Sequence, residues 1–116
     1  MINIKIQHQI WLNLERYIIW VFSGSAQLEI YNEPRDGVQA YLYALWVDKT
    51  KRQKGLASQL LKKAEEVAAS RGVKEIYLYW HPAEAPLWTR KWYERNGYTA
   101  ERLYNDGKIL LRKLLI

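Results

Sequence analysis

The sequence contains no cysteine, which excludes disulfides, a thiolate nucleophile and a cysteine-bound metal. Its two histidines, His8 and His81, stand too far apart in sequence to suggest a zinc site. No apolar run approaches the ~20 residues of a membrane-spanning helix. The amino terminus, Met-Ile-Asn-Ile-Lys-Ile-Gln-His, alternates instead of forming the apolar block of a signal peptide. The expectation is a soluble cytoplasmic protein with no metal and no membrane partner. Two phosphate-binding signatures are missing as well. Without G-x-x-x-x-G-K-[ST] a nucleoside triphosphatase is disfavoured, and without G-x-G-x-x-G a dinucleotide fold is unsupported.

What is present fits one small domain, residues 1–116. Hydrophobic residues make up 49% of the chain, with six Trp and nine Tyr, so a core can form and disorder is excluded. Lys and Arg number 18 against 12 Asp and Glu, a net charge of +6. That balance favours acidic partners, a phosphorylated cofactor or a nucleic acid; a solvated basic surface explains it equally well.

Residues 1–47 read as an antiparallel meander. Ile2, Ile4, Ile6, His8, Ile10, Leu12 and Leu14 share one side of a period-two pattern, which predicts a long half-buried strand bent or broken near His8. Tyr17 to Phe22, Gln27 to Tyr31 and Val38 to Val47 are further strands, the last two joined by a loop over 32–37 with Pro34 and Asp36-Gly37. Residues 48–116 have a different rhythm. Leu56, Leu60, Leu61, Ala64, Val67 and Ala68 form one helical stripe, with Lys62, Lys63, Glu65 and Glu66 toward water and Arg71-Gly72 as the stop. A strand from Val73 to Trp80 follows, and the strand–helix–strand order implies a right-handed crossover between parallel strands. Pro86 suits the first turn of a helix ending at Asn96-Gly97. Two strands, 98–104 and 108–114, flank the hairpin signal Asn105-Asp106-Gly107. The sum is an α+β domain, a mixed and mostly antiparallel sheet with two helices.

The chemistry concentrates where the crossover helix begins. The first N–H groups of a helix lack internal partners and carry partial positive charge. Gly55 stands there without a side chain, behind Lys49, Lys51, Arg52 and Lys54, so an anion is the expected guest.

Arg52-Gln53-Lys54-Gly55-Leu56-Ala57 resembles the R/Q-x-x-G-x-G/A signature of the GNAT N-acetyltransferase family. Trp92-Tyr93-Glu94-Arg95-Asn96-Gly97-Tyr98 is similar to that family's aromatic-Tyr-x-x-x-Gly-aromatic segment, and the two lie in the family's order over residues 40 to 114. The resemblance implies acetyl coenzyme A as co-substrate. Its pyrophosphate would rest on backbone N–H groups of Gln53, Lys54, Gly55, Leu56 and Ala57, with Arg52 and Ser58 beside them. Its pantetheine would lie between the splayed parallel strands against Leu45, Trp46 and Val47, one of whose N–H groups would stabilise the oxyanion. Tyr93 matches the tyrosine that protonates the leaving thiolate; read alone, it is a core aromatic on an amphipathic helix. Lys49 and Lys51 would reach the outer phosphates or simply be solvated.

Three departures bear on the acceptor side. Residues 15–25 leave no room for the helix pair usual after the first strand, so that side is expected to be open or completed by a second subunit. The strand before the signature, Gln-Ala-Tyr-Leu-Tyr-Ala-Leu-Trp-Val, has no glutamate to serve as base; Glu29, His81 or water are the substitutes. Pro86 replaces the asparagine seven residues before the tyrosine. His8 reads as an edge or buried histidine without chemistry, and Trp80, Trp88 and Trp92 as core or as acceptor-pocket lining.

The leading expectation is an N-acetyltransferase moving acetyl from acetyl coenzyme A to an amine of a small molecule or protein by direct attack. A non-catalytic coenzyme A-binding module is the alternative, and a basic nucleic-acid binder ranks last. A homodimer is a reasonable assembly.

Overall fold

The computed structural model describes residues 3–52 and 55–115. Seven strands, β1 (Lys5–Ile10), β2 (Leu14–Val21), β3 (Gly24–Arg35), β4 (Val38–Val47), β5 (Glu75–Trp80), β6 (Thr99–Leu103) and β7 (Ile109–Leu114), form one sheet in the order β1-β2-β3-β4-β5-β7-β6. Helix α1 (Leu56–Ser70) joins β4 to β5, and α2 (Leu87–Arg95) joins β5 to β6. Every adjacent pair is antiparallel except β4–β5. The expected mixed sheet with a parallel crossover and two helices is what forms.

Alternation gives the sheet two unlike faces. Tyr17, Ile19, Ala26, Leu28, Ile30, Ala40, Leu42, Ile76, Leu78, Trp80, Ile109 and Leu111 point to one of them and are buried. The buried stripe of α1, Leu56, Leu60, Leu61, Ala64 and Ala68, packs on that face, and Trp92 and Tyr93 of α2 pack against the same cluster. Both helices therefore lie on one side. The opposite face carries Arg16, Glu29, Tyr31, Tyr41, Tyr43, Tyr77, Tyr79, Leu110 and Arg112 with no helix of the described residues over it.

Local signals set most of the boundaries. Asp36 (φ 51°) and Gly37 (φ 81°) make a two-residue turn with both centres left-handed, the type whose twist suits a hairpin. The expected loop over 32–37 is thus shorter than read, because β3 runs through Pro34 to Arg35. The ladder shifts register between Ile30 and Arg35, so no regular pairing has to draw on the missing N–H of proline. Pro86 precedes α2 with extended backbone (φ −70°, ψ 156°) instead of occupying its first turn.

Two further expectations are corrected. The amino-terminal strand does not break near His8 but turns back at residues 11–13, and Leu12 there is 98% exposed. A backbone bond from Trp11 to the Leu14 carbonyl (2.9 Å) closes that turn. Asn32 of β3 holds it, donating from its side chain to the Leu12 carbonyl (3.1 Å) and from its backbone to that of Asn13 (3.1 Å). Glu65 of α1 does not face water. It accepts from the Tyr98 hydroxyl (2.8 Å) and Lys113 (2.9 Å), tying α1 to the segment after α2 and to β7.

Candidate active site

Strands β4 and β5 share one register pair among the described residues, Tyr41 with Tyr77, well short of their carboxyl ends. The cause lies in β4. Ser25 of β3 faces Trp46 while Gln27 faces Tyr43, so two residues of β4, Ala44 and Leu45, stand against one of β3. Ala44 takes φ 55°, a left-handed conformation that costs a residue with a side chain about 1 kcal/mol. This bulge bends β4 where β5 should have continued the ladder. Leu45, Trp46 and Val47 border the opening. Val47 is buried, Leu45 is half-buried against the helix-side core, and Trp46 is 52% exposed.

The turn beyond is tied down. Asp48 N–H donates to the Ser23 carbonyl (2.7 Å). The Asp48 carboxylate caps a short 3-10 helix, Lys49–Lys51, accepting from the Thr50 N–H (2.9 Å) and hydroxyl (2.8 Å). Those bonds, the backbone one foremost, hold its pKa below the usual value. Arg52 donates from Nε to the Val47 carbonyl (3.1 Å), which fixes the guanidinium between the end of β4 and the start of α1. Lys49 and Lys51 are exposed. Gln53 and Lys54, both expected at the phosphate, lie outside the described residues.

Gly55 is the N-cap of α1 at φ 78°, and a Cβ placed on it would meet nothing within 4 Å. Glycine is thus needed for its backbone angle, and space remains above it. The first helical bond runs from the Gln59 N–H to the Gly55 carbonyl (3.1 Å). The N–H groups of Leu56, Ala57 and Ser58 precede it and so have no helical acceptor. No side chain caps this end, and the first turn holds no acid to compete with an incoming anion. The Leu56 side chain is in the core, so only its backbone can serve a ligand.

Tyr93 lies on α2 beside the same core. Its ring meets Trp92 edge-on at 5.0 Å and Tyr98 at 5.7 Å. Burial pushes its pKa up to about 12, and its hydroxyl engages no other group among the described residues. A phenol in that condition is a proton donor throughout the neutral range. Leu45, Ala57, Trp92 and Tyr93 all pack on the core cluster containing Leu56, Trp80 and Tyr98, which brings strand, turn and tyrosine to one side of the sheet. Trp80 is core and donates from Nε1 to Thr89 (2.9 Å); Trp92 is partly buried, while Trp88 is 59% exposed.

Neither side chain considered as a base is free for that work. Glu29 accepts from Arg16 through Nε (3.0 Å) and a terminal nitrogen (2.8 Å), from Tyr43 (2.8 Å) and from Tyr31 (3.1 Å). Burial works to raise its pKa, but those bonds outweigh it and hold the carboxylate below its usual range. His81 accepts the Ala83 N–H at Nδ1 (3.0 Å), so in the neutral ring the proton sits on Nε2, which faces Asp106 at 3.6 Å. The one lone pair of that tautomer is already engaged. His8 stacks on Tyr17 and bonds Glu15 (2.7 Å) at the sheet edge.

Sequence reading passed over two contributors. Ala44 gives no signal, since nothing in its residue type announces a left-handed bulge. Ser23, whose carbonyl anchors the turn after β4, is visible only once β3 and β4 are paired.

Comparison with known proteins agrees with this arrangement. The acetyltransferase (GNAT) family model matches residues 7–98. No curated protein matches the sequence. Among crystal structures, a GNAT family acetyltransferase from Elizabethkingia anophelis with acetyl-CoA bound superposes with a TM-score of 0.69 at 15% identity, covering 97% of this chain and 99% of that one. The GNAT domain of S. lividans PAT gives 0.72 at 22% identity over 94% and 65% of the two chains. The PaiA N-acetyltransferase of Thermoplasma acidophilum, in complex with coenzyme A, gives 0.69 at 21% over 89% and 62%. At these identities the superpositions establish the fold, and the sequence match establishes the kinship. The chain belongs to the GNAT acetyltransferase family.

Proposed function

We propose that the chain is an N-acetyltransferase that moves acetyl from acetyl coenzyme A to a primary amine of a small molecule or protein by direct attack. The observation that carries this reading is the uncapped, acid-free start of α1 at Gly55, set beside the opening between β4 and β5. The N–H groups from Gly55 to Ser58, with Arg52, hold the pyrophosphate. The borders of the opening, Leu45 to Val47, take the pantetheine as an added strand. A backbone N–H there receives the negative charge when the amine nitrogen attacks the carbonyl carbon. As the carbon–sulfur bond breaks, Tyr93 gives its proton to the thiolate, and the proton lost by nitrogen goes to water. The acetyl-CoA and coenzyme A bound to two of the similar structures support this choice of donor.

With Glu29 and His81 engaged, the amine has to arrive neutral. Turnover should therefore rise with pH toward the acceptor's own pKa, near ~8 for an α-amine and ~10.4 for a lysine. Because burial pushes the Tyr93 pKa up to about 12, it adds no descending limb below that range. Tyr93→Phe should lower turnover by about 10²–10⁴-fold with little change in the KM for acetyl coenzyme A. Unchanged turnover, followed as thiol release, would remove Tyr93 from the mechanism.

A non-catalytic coenzyme A-binding module is the second reading, favoured by the engagement of both Glu29 and His81 in other bonds. Tight coenzyme A binding with no thiol release across a panel of amines would select it.

A further inference from the structure

Among the described residues the sheet has two free edges, and they are built differently. At β6 the ladder shifts register between Ala100 and Arg102, and Glu101 and Arg102 lie on the strand; a bulge and charges both obstruct the addition of another strand. At β1 there is no bulge and a single charge. Lys5–Ile10 pairs with β2 without a register shift, Lys5 is its one charged residue, and Ile6 (42%) and Ile10 (76%) are exposed. Regular and nearly uncharged, this edge has less of the protection that the other one has.

We infer that β1 is covered by β1 of a second copy, antiparallel about a two-fold axis at His8, giving one continuous fourteen-stranded sheet. Geometry narrows the register. A two-fold axis perpendicular to a continuous sheet leaves each face on its own side, so residues opposite one another must share a face. That condition requires one residue to stand opposite itself. The sequence then chooses which, because Ile6-Gln7-His8-Gln9-Ile10 reads the same in both directions about His8. In that register Ile6 meets Ile10 and Gln7 meets Gln9, each twice, so apolar pairs lie on the helix side and amides on the other. Centring on Gln7 would instead place Ile6 against His8 and Lys5 against Gln9.

The chain has no cysteine, so single introduced thiols report the register directly. Opposed residues of an antiparallel pair have Cα atoms about 4.5–5.5 Å apart, inside the span a disulfide bridges. Under mild oxidation His8→Cys should form a covalent dimer, whereas Ile10→Cys, which faces Ile6, should not. Mixed Gln7→Cys and Gln9→Cys chains should link to each other, a pairing that leaves His8 untouched. The unmodified chain should sediment at twice 13.9 kDa. Ile6→Lys with Ile10→Lys should raise its dissociation constant at least about tenfold by setting like charges opposite each other. A species of 13.9 kDa at the highest soluble concentration, or Ile10→Cys linking faster than His8→Cys, would overturn the inference.

Discussion

The two faces of the sheet solve the same problem with different materials. On the helix side, aliphatic stripes from α1 and from the strands exclude water almost completely, and Leu60, Ala64 and Ala68 have no exposed surface. On the other side no helix of the described residues arrives, and the strands present side chains that tolerate water. Arg16, Tyr31 and Tyr43 converge on Glu29, Tyr41 stacks on Tyr43 at 5.1 Å, and Tyr41, Tyr79 and Tyr104 follow edge to face at 5.6 and 5.8 Å. Apolar burial is indifferent to direction, whereas hydrogen bonds and ring contacts fix position. The helix side thus carries most of the stability, and the bare side keeps a defined polar and aromatic surface.

That division can be tested by breaking each side in turn. Leu60→Ala on the helix side should cost about 3–4 kcal/mol in urea unfolding, the loss expected when a fully buried leucine leaves a cavity. A loss under about 1 kcal/mol would mean the helix side is not the main source of stability. Glu29→Gln on the bare side should cost about 2 kcal/mol at neutral pH, since it leaves Arg16 without its counter-charge. The folded pKa of Glu29 is lowered, so its stabilisation is present above the ordinary glutamate value of 4.5 and fades as pH falls through the folded value. The gap between variant and parent should therefore narrow on acidification; a constant gap would assign the loss to shape instead of charge. Smallest should be Lys108→Ala, which removes the ammonium over Tyr79 (4.4 Å) and Tyr104 (4.8 Å), at about 0.5–1 kcal/mol. Its KM for acetyl coenzyme A should not change, and a change there would show that the two faces are not independent.

What could be read in advance follows the same line. The α1 stripe, its Gly72 stop, the Asp36-Gly37 turn and the β4–α1–β5 crossover are written in residues within a few positions of each other, so periodicity and turn chemistry reveal them. The glycine that opens α1 was legible for the same reason. The turn at Trp11-Leu12-Asn13 was not, because the period-two pattern runs through it to Leu14 and the residue that holds it, Asn32, is 20 positions away. Glu65 was misread likewise, since its partners Tyr98 and Lys113 lie 33 and 48 residues on. Tyr41 and Tyr43 were visible as strand residues lacking an acid, but their convergence on Glu29 and Tyr79 depends on a pairing register that no single strand encodes.

Ala44 has a consequence for how a long, extended guest would be received. Its left-handed backbone is stored in the fold, held by the pairing of β4 with β3 on one side and the anchored turn at Asp48 on the other. The slot between β4 and β5 therefore exists before anything enters it. A ligand arriving there has no strand hydrogen bonds to break and no domain to close, so its association should be fast and its affinity undiminished by reorganisation.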